Sequence, residues 1–127
     1  MEWVTIVAML ALLEYFFFGV KVGQARGKYG IAAPATAGND MFERYFRVHM
    51  NTLEQLVVFL PALYGFAAFV SPLWAAAAGV AFIVGRALYY TSYVADPAKR
   101  GPGASITFLV NAVLVIGTVV GATINLM

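Results

Sequence analysis

Arg47, Asn51 and Glu54 stand at i, i+4 and i+7, so on a helix of 3.6 residues per turn a cation, an amide and a carboxylate form one stripe. Arg44 and Asp40 extend it backwards. The stripe enters a run, MFERYFRVHMNTLEQLVVFLPALYGFAAFV, whose second half is apolar enough for a membrane. Ionisable groups at that depth are costly unless they pair or line a wet cavity, which makes them candidates for a site. The structural alternative is a network that satisfies itself, Arg47 with Glu54 and Arg44 with Glu43. Arg86, Tyr89 and Tyr93, at i, i+3 and i+7 of a later run, give a second polar face, with Tyr90 beside it. Tyrosines near a membrane boundary often form an aromatic belt, and that is the reading for Tyr90. Tyr89 and Tyr93 share the Arg86 face and are expected in the site, with Arg100, just past Pro97, at its mouth. Glu14 is a lone carboxylate in the first apolar run and fits either a proton or cation site of a transporter or a partner for an arginine. Pairing with Arg86 is the expectation. His49, the one histidine, lies off the stripe, about 160° around the helix from Asn51; with no cysteine beside it, no metal site is expected. Cations, a carboxylate, an amide and phenols together suit a small anionic molecule that also carries an ammonium and amides, such as a peptide-like cofactor.

The elements that must position these groups follow from composition. Of 127 residues 62% are hydrophobic and 11% charged, against about 45–50% and about 25% in ordinary globular domains. A span needs about 20 apolar residues, so four spans and short loops use the whole chain as one domain, residues 1–127. The expectation is an all-α, integral membrane four-helix bundle of up-down topology, with helices at about 3–28, 41–69, 72–95 and 104–126. Asn39 or Asp40 is placed to cap the second helix, and Ser71-Pro72 makes the tightest break, Pro72 suiting a first helical turn. The first run begins with Glu2 instead of a basic segment and lacks a clear cleavage site, so it reads as a retained span. Lys21, Arg26, Lys28, Arg44, Arg47, Lys99 and Arg100 all flank the first and third loops, and the second loop has no cation. The positive-inside rule then puts loops one and three in the cytoplasm. Gly19, Gly23 and Gly27, and Gly117 and Gly121, have spacings that permit close helix contact. The net charge of +2 is small and clustered in loops, which gives no support to nucleic-acid binding.

The segments FERYFRVHMNTLE (Phe42, Glu43, Arg44, Arg47, His49, Asn51, Glu54) and GRALYYTSY (Gly85, Arg86, Tyr89, Tyr93), with Arg100 after a proline-containing turn, carry a resemblance over essentially the whole chain. The sequence resembles the MAPEG superfamily, membrane-associated proteins in eicosanoid and glutathione metabolism, and looks closest to its microsomal glutathione transferase branch. The resemblance implies a homotrimer binding glutathione between neighbouring subunits near the cytoplasmic side, in an inner membrane if bacterial or one of endoplasmic-reticulum type if eukaryotic. It implies that Arg47, Asn51 and Glu54 hold the glutathione backbone with help from Arg26, His49 and Arg86, that Tyr89 and Tyr93 reach it from the adjacent subunit, and that Arg100, with Tyr93 as alternative, stabilises the thiolate. The second substrate implied is a lipophilic electrophile or hydroperoxide. Two departures stand out: Gln55, where some members have tyrosine, and Val58, where the transferase branch often has proline. Two other functions fit the residues: a non-catalytic lipid-binding member of the same fold, and a small four-helix proton-coupled transporter using Glu14.

Overall fold

The helix starts after the first are set by a short polar side chain or a proline. The Asn39 carboxamide oxygen accepts from the Phe42 amide at 3.0 Å, Ser71 Oγ accepts from the Trp74 amide at 3.3 Å with Pro72 next, and Asp96 accepts from the Ala98 amide at 3.0 Å. The computed structural model describes all of residues 1–127 and contains α1 (Glu2–Tyr29), α2 (Asp40–Phe69), α3 (Pro72–Ala95) and α4 (Gly101–Leu126), with a 3-10 turn at Pro97–Lys99. Gly30 ends α1 in the left-handed region, φ 69°. Helix α4 begins ahead of the expected Ala104, because Arg100 already has helical backbone angles (φ −69°, ψ −16°) and the 3-10 turn feeds straight into it.

Contacts between helices give the register. Tyr64 reaches Thr5 while His49 stacks on Tyr15, so α1 and α2 run antiparallel. Phe59 stacks on Phe82 with ring centroids 3.9 Å apart while Arg44 reaches the Val94 carbonyl, and α2 and α3 are antiparallel too. Asn111 meets Gln55 and Thr118 meets Ala62, so α4 runs parallel to α2. The result is the up-down bundle, with α2 and α3 between α1 and α4.

Its exterior is apolar. Trp3, Phe16 and Leu73 are 70%, 73% and 72% exposed, which is intolerable in water and ordinary against hydrocarbon. All four helices are long and apolar enough to cross a bilayer. This is an all-α, multi-pass integral membrane bundle.

The glycines divide. A Cβ at Gly117 would run into the Phe66 ring and one at Gly121 would lie 2.6 Å from the Phe69 carbonyl oxygen, so both let α4 close on α2. Gly19 backs onto His49 at 3.1 Å, whereas Gly23 and Gly27 face open space.

Candidate functional site

At the end of the bundle that carries the charged loops, α2, α3 and α4 part around a cavity of about 460 Å³. Helix α2 contributes Arg47, Asn51 and Gln55, helix α3 contributes Arg86, Tyr89 and Tyr93, and α4 with its N-terminal residue contributes Arg100, Ala104, Thr107 and Phe108. The stripe and the second polar face therefore meet in one chain. Tyr89 and Tyr93 stack on each other at 5.4 Å and line the cavity with Arg47 and Asn51 of their own subunit.

Arg86 organises the cavity floor. It is 1% exposed, and its guanidinium donates to Asn51 Oδ1 at 2.8 Å, to Thr52 Oγ1 at 2.9 and 3.2 Å, and to Thr107 Oγ1 at 3.4 Å, while lying 4.3 Å from the centroid of the Tyr89 ring. Thr52 and Thr107 can accept because each gives its own hydroxyl proton to a helix carbonyl, Val48 and Gly103. A cation taken out of water is thus held by neutral acceptors and an aromatic face. The expected ion pair with Glu14 is not made: Glu14 Oε1 is buried without a partner, and the Arg86 donors are already taken by α2 and α4.

Arg47 lies 3.5 Å from Glu54, with both side chains about half exposed, at 50% and 58%. Glu54 does not itself line the cavity and touches it only through its contact with Arg47. The expected Arg44 to Glu43 link is replaced. Arg44 pairs with Asp40 at 2.9 Å and donates to the carbonyls of Val94 and Ala95, capping the end of α3, while Glu43 accepts from the Gly38 amide. Tyr90, partly buried, stacks on Phe18 at 5.0 Å.

Arg26 and His49 lie away from this cavity. Arg26 folds back onto the first loop, donating to the Ala35 carbonyl at 2.7 Å beside the Phe42 ring, and His49 is stacked on Tyr15 at 4.5 Å in the seam of α1 and α2. Sequence reasoning missed Thr52, Ala104, Thr107, Phe108 and Asn111, and treated Gln55 only as a departure. Asn111 is 6% exposed and donates to Gln55 Oε1 at 3.0 Å; an amide within the fourth apolar run was its available signal.

Comparison with known proteins agrees with this architecture. The model of the MAPEG family matches residues 4–120. An uncharacterised protein of Synechocystis is 43% identical over 115 residues, covering 91% of this chain and 84% of its own. Human microsomal glutathione S-transferase 2 is 32% identical over 110 residues, 87% of this chain and 75% of its own. Rat leukotriene C4 synthase is 30% identical over 94 residues, 74% of this chain and 63% of its own. With its four membrane-length helices and a family match over residues 4–120, the chain belongs to the MAPEG family.

Proposed function

We propose that this protein is a membrane-bound glutathione transferase that binds glutathione in the α2, α3, α4 cavity and stabilises its thiolate for attack on lipophilic electrophiles. The observation that carries this reading is the convergence of Arg47, Asn51, Tyr93 and Arg100 on one cavity of about 460 Å³. A free thiol has a pKa of about 8.5 and is a few per cent thiolate at neutral pH. A guanidinium does not titrate in that range, so Arg100 can favour the anion by charge and hydrogen bonding. The thiolate sulfur then forms a bond to an electrophilic carbon, whose leaving group departs with its electron pair. Phe108 and Ala104, on the wall that continues into the apolar outer face of α4, suit a substrate arriving from lipid.

The working unit in this reading is a homotrimer, with Arg26 and His49 meeting the glutathione of a neighbouring subunit, since they are remote from the cavity of their own. Loops one and three lie in the cytoplasm, where the co-substrate is. The test is ultraviolet detection of thiolate when glutathione is added to the purified protein in detergent. A thiolate band at neutral pH with turnover of an electrophile is expected. Binding without turnover would favour the lipid-binding alternative, and no binding would end the proposal.

A further inference from the structure

Resting on that reading, we infer that Gln55, oriented from behind by Asn111, is a specificity-determining hydrogen-bond donor that requires a carbonyl or carboxylate oxygen of the ligand at the inner end of the cavity. Asn51 and Gln55 are one helical turn apart on the same face of α2, and both line the cavity. Each has its amide oxygen engaged by another side chain of the bundle. Arg86 has only donors to offer, so the Asn51 atom it meets at 2.8 Å must be the oxygen. The orientation of the second pair follows from a neighbouring carbonyl. The Asn111 atom 3.0 Å from Gln55 Oε1 also lies 3.5 Å from the Gln55 backbone oxygen, a position suited to an amide nitrogen and repulsive for a second oxygen. Asn111 therefore donates and Gln55 Oε1 accepts, an arrangement that leaves Asn111 Oδ1 buried and unpaired.

What remains for the ligand is the nitrogen of each amide. Neither Asn51 Nδ2 nor Gln55 Nε2 has a partner in the chain, and neither is fully buried. Thr107 adds no donor, because its hydroxyl proton goes to the Gly103 carbonyl. The inner wall thus presents two unpaired amide donors beside the Arg86 guanidinium. An oxygen acceptor satisfies these donors, whereas an ammonium brought there would leave both unmet and face the Arg86 charge. A peptide-like ligand would therefore turn a carbonyl or carboxylate oxygen, and not its ammonium, towards Gln55.

The experiment measures glutathione affinity of the detergent-purified full chain by calorimetry for wild type, Gln55→Glu, Gln55→Leu, Asn111→Leu and the double variant Gln55→Leu/Asn111→Leu. Gln55→Glu, nearly isosteric but an acceptor, is expected to weaken binding at least about tenfold and more than Gln55→Leu does. Asn111→Leu should weaken binding several-fold with Gln55 present and have no added effect in the double variant, the signature of a residue acting through its neighbour. Wild-type affinity in Gln55→Glu, or an Asn111 effect undiminished without Gln55, overturns the inference and leaves the transferase reading standing. Should Asn111→Leu fail to fold, the comparison of Gln55→Glu with Gln55→Leu still decides. Absence of glutathione binding to wild type overturns both readings.

Discussion

Gly103 is pressed against the backbone of Tyr89: a Cβ at position 103 would lie 2.5 Å from the Tyr89 amide nitrogen and 2.6 Å from its Cα. No other residue type fits there. The contact fixes where α4 starts on α3, and so carries Arg100, three residues earlier, to the cavity that Tyr89 and Tyr93 line. Gly85 continues the same seam, since a Cβ there would lie 2.7 Å from the Ile106 side chain.

Gly103→Ala should therefore push α4 away from α3. Backbone atoms cannot swing aside as the tip of a side chain can, so the overlap should cost about 1–3 kcal/mol, typical of overpacking. Thermal unfolding in detergent should show a lowered midpoint, and turnover should fall because Arg100 moves with the helix. An unchanged midpoint would mean that the two helices are not in contact at this residue.

Arg86 and Arg47 should separate stability from binding. Arg86→Met removes a buried donor group and leaves the acceptors of Asn51, Thr52 and Thr107 unmet, at about 1.5–3 kcal/mol for each hydrogen bond to a charged group. Arg86→Lys should rescue little, because one ammonium cannot span three acceptors. The Arg47 to Glu54 pair is half exposed at 3.5 Å, and such pairs contribute about 0–1 kcal/mol. Arg47→Met should thus keep nearly the wild-type unfolding midpoint and weaken glutathione binding strongly, whereas Arg86→Met should lower both. A large stability loss in Arg47→Met would contradict this division.

The two arginines also show what can be read before a structure exists. Hydropathy and caps are local, so the four helices and their starts at Asn39 and Ser71 follow from a linear reading. Helical spacing likewise puts Arg47 with Asn51 and Arg86 with Tyr89 and Tyr93 on shared faces. Periodicity does not say which acceptor a long side chain chooses. Glu14 looked like the natural partner of Arg86 by charge, yet threonine hydroxyls and an amide take the guanidinium, because the register of α2 and α4 brings them closer. Arg44 reaches past Glu43 to the free carbonyls ending α3 for the same reason, that contacts between helices depend on loop geometry absent from any one helix. Thr52 and Thr107 carry no distinctive signal, since a lone hydroxyl in an apolar run commonly bonds back to its own helix.

The absence of native cysteine makes the chain suited to labelling from one side of the membrane. Cysteines introduced singly at Ala98 and Ser71 are expected to react from opposite faces, Ala98 from the cytoplasmic one, because the cations flank the first and third loops. Reaction of both from the same side would refute this orientation.

Arg100 should act on the chemistry more than on the grip. It lies at the start of α4, beyond the 3-10 turn, while the groups expected to hold the ligand backbone lie on α2. Arg100→Ala should leave glutathione affinity within a few-fold and raise the bound thiol's pKa by about one to two units, equivalent to about 1.4–2.7 kcal/mol. The sign sets the pH dependence. A wild-type site that lowers the thiol pKa keeps the thiolate populated at neutral pH, and the variant should lose that population and regain it as pH rises towards about 8.5. Turnover at pH 7 should fall about ten- to a hundredfold where thiolate population limits the rate, and most of that loss should vanish at alkaline pH. Arg100→Lys should keep part of the effect, as a point charge without the planar fork. Thiolate absorbance and turnover measured across pH decide the matter: an Arg100→Ala variant with the wild-type titration and full rate would remove Arg100 from the mechanism and leave the Tyr93 hydroxyl as the donor to the sulfur.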